Sequence, residues 1–214
     1  MQSLVLLLLV LLLKPPAAGP LAVRVTFSPL TKAAYLAAAK VAVTTEPVMT
    51  FPLKKLRGRI VIPTSKGPKV FQDKGLGTDN DDQVQFDYKG YLPQFKCHLL
   101  IGHYWERTQS LLVPASGGKQ LSLYGQPVFS PDMQNFVSRA SGIEYGVYPN
   151  EIRLFRFGNG HWQQVWKLEP SVEPATWEPD AIKWLTNSTL LLQKKMWTGP
   201  NPGSTFTYAK LTIQ

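Results

Sequence analysis

Apolar residues recur along this chain with two different periods. Over residues 30–43 the spacing is helical: Leu30, Ala34, Ala37 and Val41 share a face, with Lys32 and Lys40 off it. Ser28 suits an N-cap and Pro29 the first helical position, so the pattern predicts one N-terminal helix opening at Ser28. Thr44-Thr45-Glu46-Pro47 ends it, because a residue before proline resists helical dihedrals. After Pro47 the period shortens to two. Arg59-Ile60-Val61-Ile62 and Lys69-Val70-Phe71-Gln72 predict a hairpin across the turn at 63–68. Further strands are predicted over 83–88, 97–104, 110–114, 120–124, 135–139, 151–157, 163–168, 182–185, 189–193 and 206–213. Turn residues separate them, including Ser116-Gly117-Gly118, Gly158-Asn159-Gly160 and Thr186-Asn187-Ser188. The expectation is a mainly β protein with a single helix.

The first residues read differently. Leu4 to Leu13 are ten unbroken apolar residues, followed by Lys14 and a proline and small-residue stretch. Ten helical residues span about 15 Å, half a bilayer core, so the run is too short for a membrane anchor. It fits the apolar region of a signal peptide over 1–22, cut after Ala18 or Ala22, and implies a secreted or periplasmic protein. No later stretch has transmembrane length. Residues 23–74 form a basic helix-plus-hairpin segment and 75–214 a β-meander, expected to fold together as one domain.

Charge sharpens this division. Of a formal net charge of +9, the segment 24–74 holds ten Lys or Arg against only Glu46 and Asp73. From Gly75 onward each sign occurs twelve times and cancels. A positive field confined to one quarter of the chain attracts anionic partners such as lipid headgroups, anionic glycan or an acidic envelope protein. Export makes nucleic acid the least fitting of these. The candidate binding cations are Lys54, Lys55, Arg57, Arg59, Lys66 and Lys69. A solvated basic face that aids solubility is the competing explanation.

A phrase repeats within the meander. Pro127-Val128-Phe129-Ser130-Pro131-Asp132 precedes two strands ending in Val165-Trp166, and Trp177-Glu178-Pro179-Asp180 opens a similar phrase. This kernel resembles the blade openings of TolB-type and WD-repeat β-propellers, although Met133 stands where a glycine usually follows Ser-Pro-Asp. The resemblance covers residues 95–213 and implies a partial or small propeller-like meander of three to four blades, a twisted β-sandwich being the alternative. As a whole the chain is also similar to exported bacterial proteins of unassigned role, which transfers no activity.

Catalytic chemistry has little footing. There is no Gly-x-Ser-x-Gly elbow, and Ser116-Gly117-Gly118-Lys119 is a hairpin turn rather than a phosphate-binding loop, with no helix after it and the wrong spacing. Cys97, His98, His103 and Glu106 lie close in sequence but not at metal-ligand spacing, and Asp79 to Asp82 lack the calcium-loop pattern. No metal or cofactor is expected, and Cys97, the only cysteine, is expected to be buried and inert. Glu169, Glu173, Glu178 and Asp180 alternate with prolines, and they leave open a cell-envelope hydrolase acting on glycan or peptide. All six tryptophans lie between Trp105 and Trp197. Trp162 and Trp197, beside turn residues, are the expected exposed rings for stacking on a ligand. The leading expectation is an exported, non-enzymatic binding module with a basic face.

Overall fold

β-strands account for most of the computed structural model, which describes residues 23–77, 81–144, 146–170 and 177–214. The signal-peptide expectation at 1–22, and Asp79, Asn80 and Glu173, lie outside these residues. β2 (Arg59–Ile62) and β3 (Lys69–Gln72) form a two-stranded sheet. β4 (Val84–Leu92), β5 (Cys97–Tyr104), β6 (Thr108–Pro114) and β7 (Leu121–Leu123) form a four-stranded meander in chain order. β8 (Val128–Phe129), β9 (Asn135–Ala140), β10 (Glu151–Gly158) and β11 (His161–Leu168) form a second one. The fourth sheet takes β12 (Trp177–Thr186), β13 (Thr189–Met196) and β14 (Thr205–Ile213) in order, then adds β1 (Val25–Leu30) at its edge. The first strand, β1, thus pairs with the last, β14, from Val25 opposite Ile213 to Leu30 opposite Tyr208.

This pairing corrects the helix boundary. Ser28 and Pro29 do not open the helix; they are strand residues opposite Lys210 and Ala209. The backbone groups on the outer edge of β14 need partners, and that demand outweighs local helix signals. Pro29 is tolerated because β1 is an edge strand, where a missing N–H removes no ladder bond. Thr31 takes over as N-cap, its hydroxyl accepting from Ala34 N at 3.2 Å, and α1 runs over Lys32–Ala39. The helix buries one side chain, Tyr35, whose ring lies 4.6 Å from that of Tyr208 on β14.

After the helix the chain crosses three sheets on single backbone bridges. Val43 pairs with Trp184 on β12, Thr45 with Phe129 on β8, and Thr50 with Tyr91 on β4. Apolar burial then holds the sheets to one another. Val137, Ile152 and Leu154 pack on Ile182, Trp184, Leu190, Leu192 and Leu211. Phe95, Leu112 and Leu123 pack on Phe129, Phe136 and Phe155. Ile60, Ile62 and Phe71 of the hairpin pack on Phe86, Leu100, Leu111 and Val113. Trp184 is completely buried, and its indole N–H donates to Val128 O at 2.8 Å, tying β12 to β8.

The Ser-Pro-Asp turn demands a conformation that glycine adopts most easily. Met133 sits at φ +60°, in the left-handed region. Ser130 is fully buried, and its hydroxyl accepts from Asn135 N at 3.0 Å and lies 2.6 Å from Asp132 Oδ1. Asp132 Oδ1 also accepts from Gln134 N at 3.0 Å, so side chains close the turn that leads into β9. Among the described residues, no helix is long and apolar enough to cross a membrane.

Candidate functional site

The basic residues of the sequence gather around one small structure. Residues 50–56 form an extended arm along β4: Thr50 and Tyr91 exchange both backbone hydrogen bonds, at 2.9 and 2.7 Å. The arm turns back into β2 through Arg57-Gly58, where Leu56 and Arg59 exchange two bonds of 2.9 Å. Arg57 has φ +50° and Gly58 φ +72°, the signature of a type I′ hairpin turn. The turn at Asn159 (φ +52°) and Gly160 (φ +76°), between β10 and β11, has matching dihedrals and the usual Asn-Gly pair.

Alternation then sorts side chains between two faces. Leu56 opposes Arg59, Arg59 opposes Gln72, and Val61 opposes Val70. Directly opposed residues share a face, so Lys54, Leu56, Arg59, Val61, Val70 and Gln72 point outward, and all six are exposed. Leu56 is 69% exposed, Val61 41% and Val70 46%. The inward face carries Ile60, Ile62 and Phe71, with Leu53 packed against the same cluster.

The six candidate cations therefore divide. Lys55 points inward: its ammonium sits 2.5 Å from Asp73 Oδ2 and donates to Phe86 O at 2.8 Å. Asp73 Oδ1 accepts from Phe86 N at 2.9 Å, so Lys55 and Asp73 together pin the arm and hairpin to β4. Lys69 is half-buried and donates to Gly118 O at 3.1 Å, tying the hairpin to the loop after β6. Lys54, Arg57, Arg59 and Lys66 are exposed and make no ion pair among the described residues. With Asp73 already neutralised by Lys55, these four cations leave the arm and hairpin with positive charge unpaired among the described residues.

Trp162 and Trp197 do not match their expected exposure. The Trp162 ring lies 4.6 to 6.0 Å from Phe95, Phe129, Phe136 and Phe157, and its N–H is buried without an acceptor. Phe129, Phe136 and Phe157 belong to β8, β9 and β10 of Trp162's own sheet, Phe157 directly opposite it, and Phe95 comes from the turn between β4 and β5. Trp197 is half-buried beneath Lys195, whose ammonium stands 4.8 Å above the ring, and Gly203. The exposed indole is instead Trp105, 49% accessible, on the rim of a cleft of about 480 Å³ shared with Tyr104, Glu106 and Arg107.

Other titratable groups are committed to structure. Glu151 is buried between Arg153 at 2.8 Å and Lys167 at 3.2 Å. Glu178 is buried and accepts from Ile143 N at 3.1 Å, with Lys195 3.8 Å away. His103 bridges Asp87 at 3.1 Å and Thr108 at 3.4 Å on the surface of the β4–β7 sheet. His98 is buried with Nδ1 2.9 Å from the Tyr88 hydroxyl. Burial lowers the His98 pKa and raises that of Tyr88 to about 12, the latter helped by Tyr91, so the phenol donates to a neutral imidazole. Burial pushes the Cys97 thiol up to about 12. Among the described residues no three metal-ligating side chains come together. A cavity of about 560 Å³ lies beneath the crossing segment, lined by Val43, Glu46, Met49, Lys89, Phe129 and Lys183 among others.

Comparison of the chain with protein-family models, with curated proteins and with solved structures finds no match.

Proposed function

We propose that this protein is an exported, non-enzymatic binding module that uses the arm and the β2–β3 hairpin to hold anionic partners of the cell envelope. The observation that carries this reading is the set of exposed cations with no ion pair among the described residues, Lys54, Arg57, Arg59 and Lys66, on an arm and hairpin whose one acid, Asp73, is already neutralised by Lys55. Cations that lack intramolecular partners keep their full field for a ligand. The rest of the protein serves as a rigid support. We take the four sheets as blades of a small propeller-like array, a reading favoured by their chain-order meanders and by β1 completing the last sheet. The apolar run at 4–13 supports export.

The test is retention on a sulfated-polysaccharide column under a salt gradient. Wild type should bind at low ionic strength and elute well before 1 M salt, because exposed charges are screened within about 3 Å there. Replacing Lys54, Arg57, Arg59 and Lys66 by Gln should move elution to much lower salt. Unchanged elution would remove the basis for this function.

A further inference from the structure

We infer that the partner of this face is an anionic lipid surface, with the strip Lys54, Leu56, Arg57, Arg59, Val61 and Val70 lying against it. The inference rests on the anion-binding reading above and names the ligand of the same site. What separates lipid from a soluble polyanion is the company the cations keep. Leu56, Val61 and Val70 are 69%, 41% and 46% exposed on the face that carries Lys54 and Arg59. A polysaccharide or nucleic acid offers charge and hydroxyl groups, which give an exposed leucine nothing to gain. A bilayer interface offers both complements at once: headgroup phosphates for the cations and the acyl boundary for the apolar side chains.

Dimensions agree with a shallow contact. The Leu56–Arg59 and Val61–Val70 pairs are separated by about 7 Å along β2, and the paired β2 and β3 backbones lie about 5 Å apart. The inward face is filled by Ile60, Ile62 and Phe71, so the outward apolar set is not needed for the core. Asp73 is paired with Lys55, and Glu46 lies on the crossing segment ahead of the arm.

A second observation is independent of exposure. Arg57 occupies a left-handed position, φ +50°, that disfavours side chains other than Asn, Asp or Gly. Its side chain has no ion pair among the described residues to offset the strain. Strain retained at an exposed tip marks a residue held for what lies outside. Arg57 is exposed in this turn, within reach of a phosphate on the membrane surface.

The experiment is co-sedimentation of the full chain with vesicles of phosphatidylcholine containing phosphatidylglycerol, with pure phosphatidylcholine vesicles and a soluble heparin column as the other arms. The apolar run at 4–13 is common to all variants, so differences between them report on the strip. Wild type should bind the anionic vesicles. The Lys54→Gln/Arg57→Gln/Arg59→Gln protein should bind them about a hundredfold more weakly, at about fivefold per cation. The Leu56→Ser/Val61→Thr/Val70→Thr protein should lose about tenfold or more on vesicles while its heparin elution stays unchanged. Thr keeps strand preference, and Leu56→Ser alone lies outside the strands, so a misfolded triple variant does not remove the test. Vesicle binding that ignores the apolar substitutions overturns the lipid assignment and leaves the anion-binding function standing. Heparin binding without vesicle binding does the same and assigns the face to glycan. Absence of both overturns the function along with the inference.

Discussion

Arg57→Asn should make this protein more stable and a poorer binder at once. Arg57 and Gly58 have φ of +50° and +72°, and the unrelated turn at Asn159 and Gly160 has +52° and +76°. The two turns share a geometry and differ at their first residue. A left-handed conformation costs a typical L-residue about 1–2 kcal/mol, and Asn escapes most of that. The Arg57 side chain makes no ion pair among the described residues. Its carbonyl accepts a long 3.4 Å bond from Gln72 Nε2, which the substitution leaves in place. The expected gain is therefore about 1 kcal/mol, which raises the melting temperature of a domain this size by roughly 2–4 °C. Differential scanning calorimetry reads that shift directly. Arg57→Gln serves as control, since it removes the charge and keeps the backbone strain, so the Asn–Gln difference isolates the turn. The reverse change, Asn159→Arg, should lower the melting temperature by a similar amount. If Arg57→Asn and Arg57→Gln melt together, the strain argument is wrong, and with it one of the two supports for the lipid-facing role of this turn.

Three further outcomes follow from buried groups. Trp184→Phe should destabilise by about 2 kcal/mol, because it leaves Val128 O without its donor and opens a void between β12 and β8; a denaturant midpoint equal to wild type would contradict this. Cys97 should resist alkylation at pH 8 in the native protein and react fully once unfolded, as its thiol is buried and its pKa is raised to about 12; rapid native labelling would show that the β5 core opens readily. His98 sets a pH dependence with a definite sign. Its pKa is lowered in the fold, so the unfolded chain takes up the proton first, and stability falls as pH drops below about 6.5. His98→Asn, which keeps an acceptor for the Tyr88 hydroxyl, should flatten that part of the melting-temperature profile; an unchanged slope would place its origin elsewhere.

The sequence by itself determined the local grammar. Alternating apolar residues at 59–62 and 69–72 specify a hairpin, Gly158-Asn159-Gly160 specifies a tight turn, and the positive charge of 24–74 is a property of composition. Such features depend on neighbours within a few residues, and a period of two or a turn-forming pair acts there without help. β8, only Val128–Phe129, was too short to carry a period, and β1 was hidden under helix signals at Ser28 and Pro29. Tertiary structure decided everything that needs a distant partner. Only the unpaired edge of β14 makes a strand of residues 25–30. Only the fold brings Phe95, from the turn between β4 and β5, against the half-buried Trp162 ring on β11. Only Asp73 and Phe86 turn Lys55 inward, while Lys54 and Leu56 are left facing out. Charge and hydrophobicity are written into the chain, but which of them reaches solvent depends on backbone pairing and burial between residues far apart in sequence.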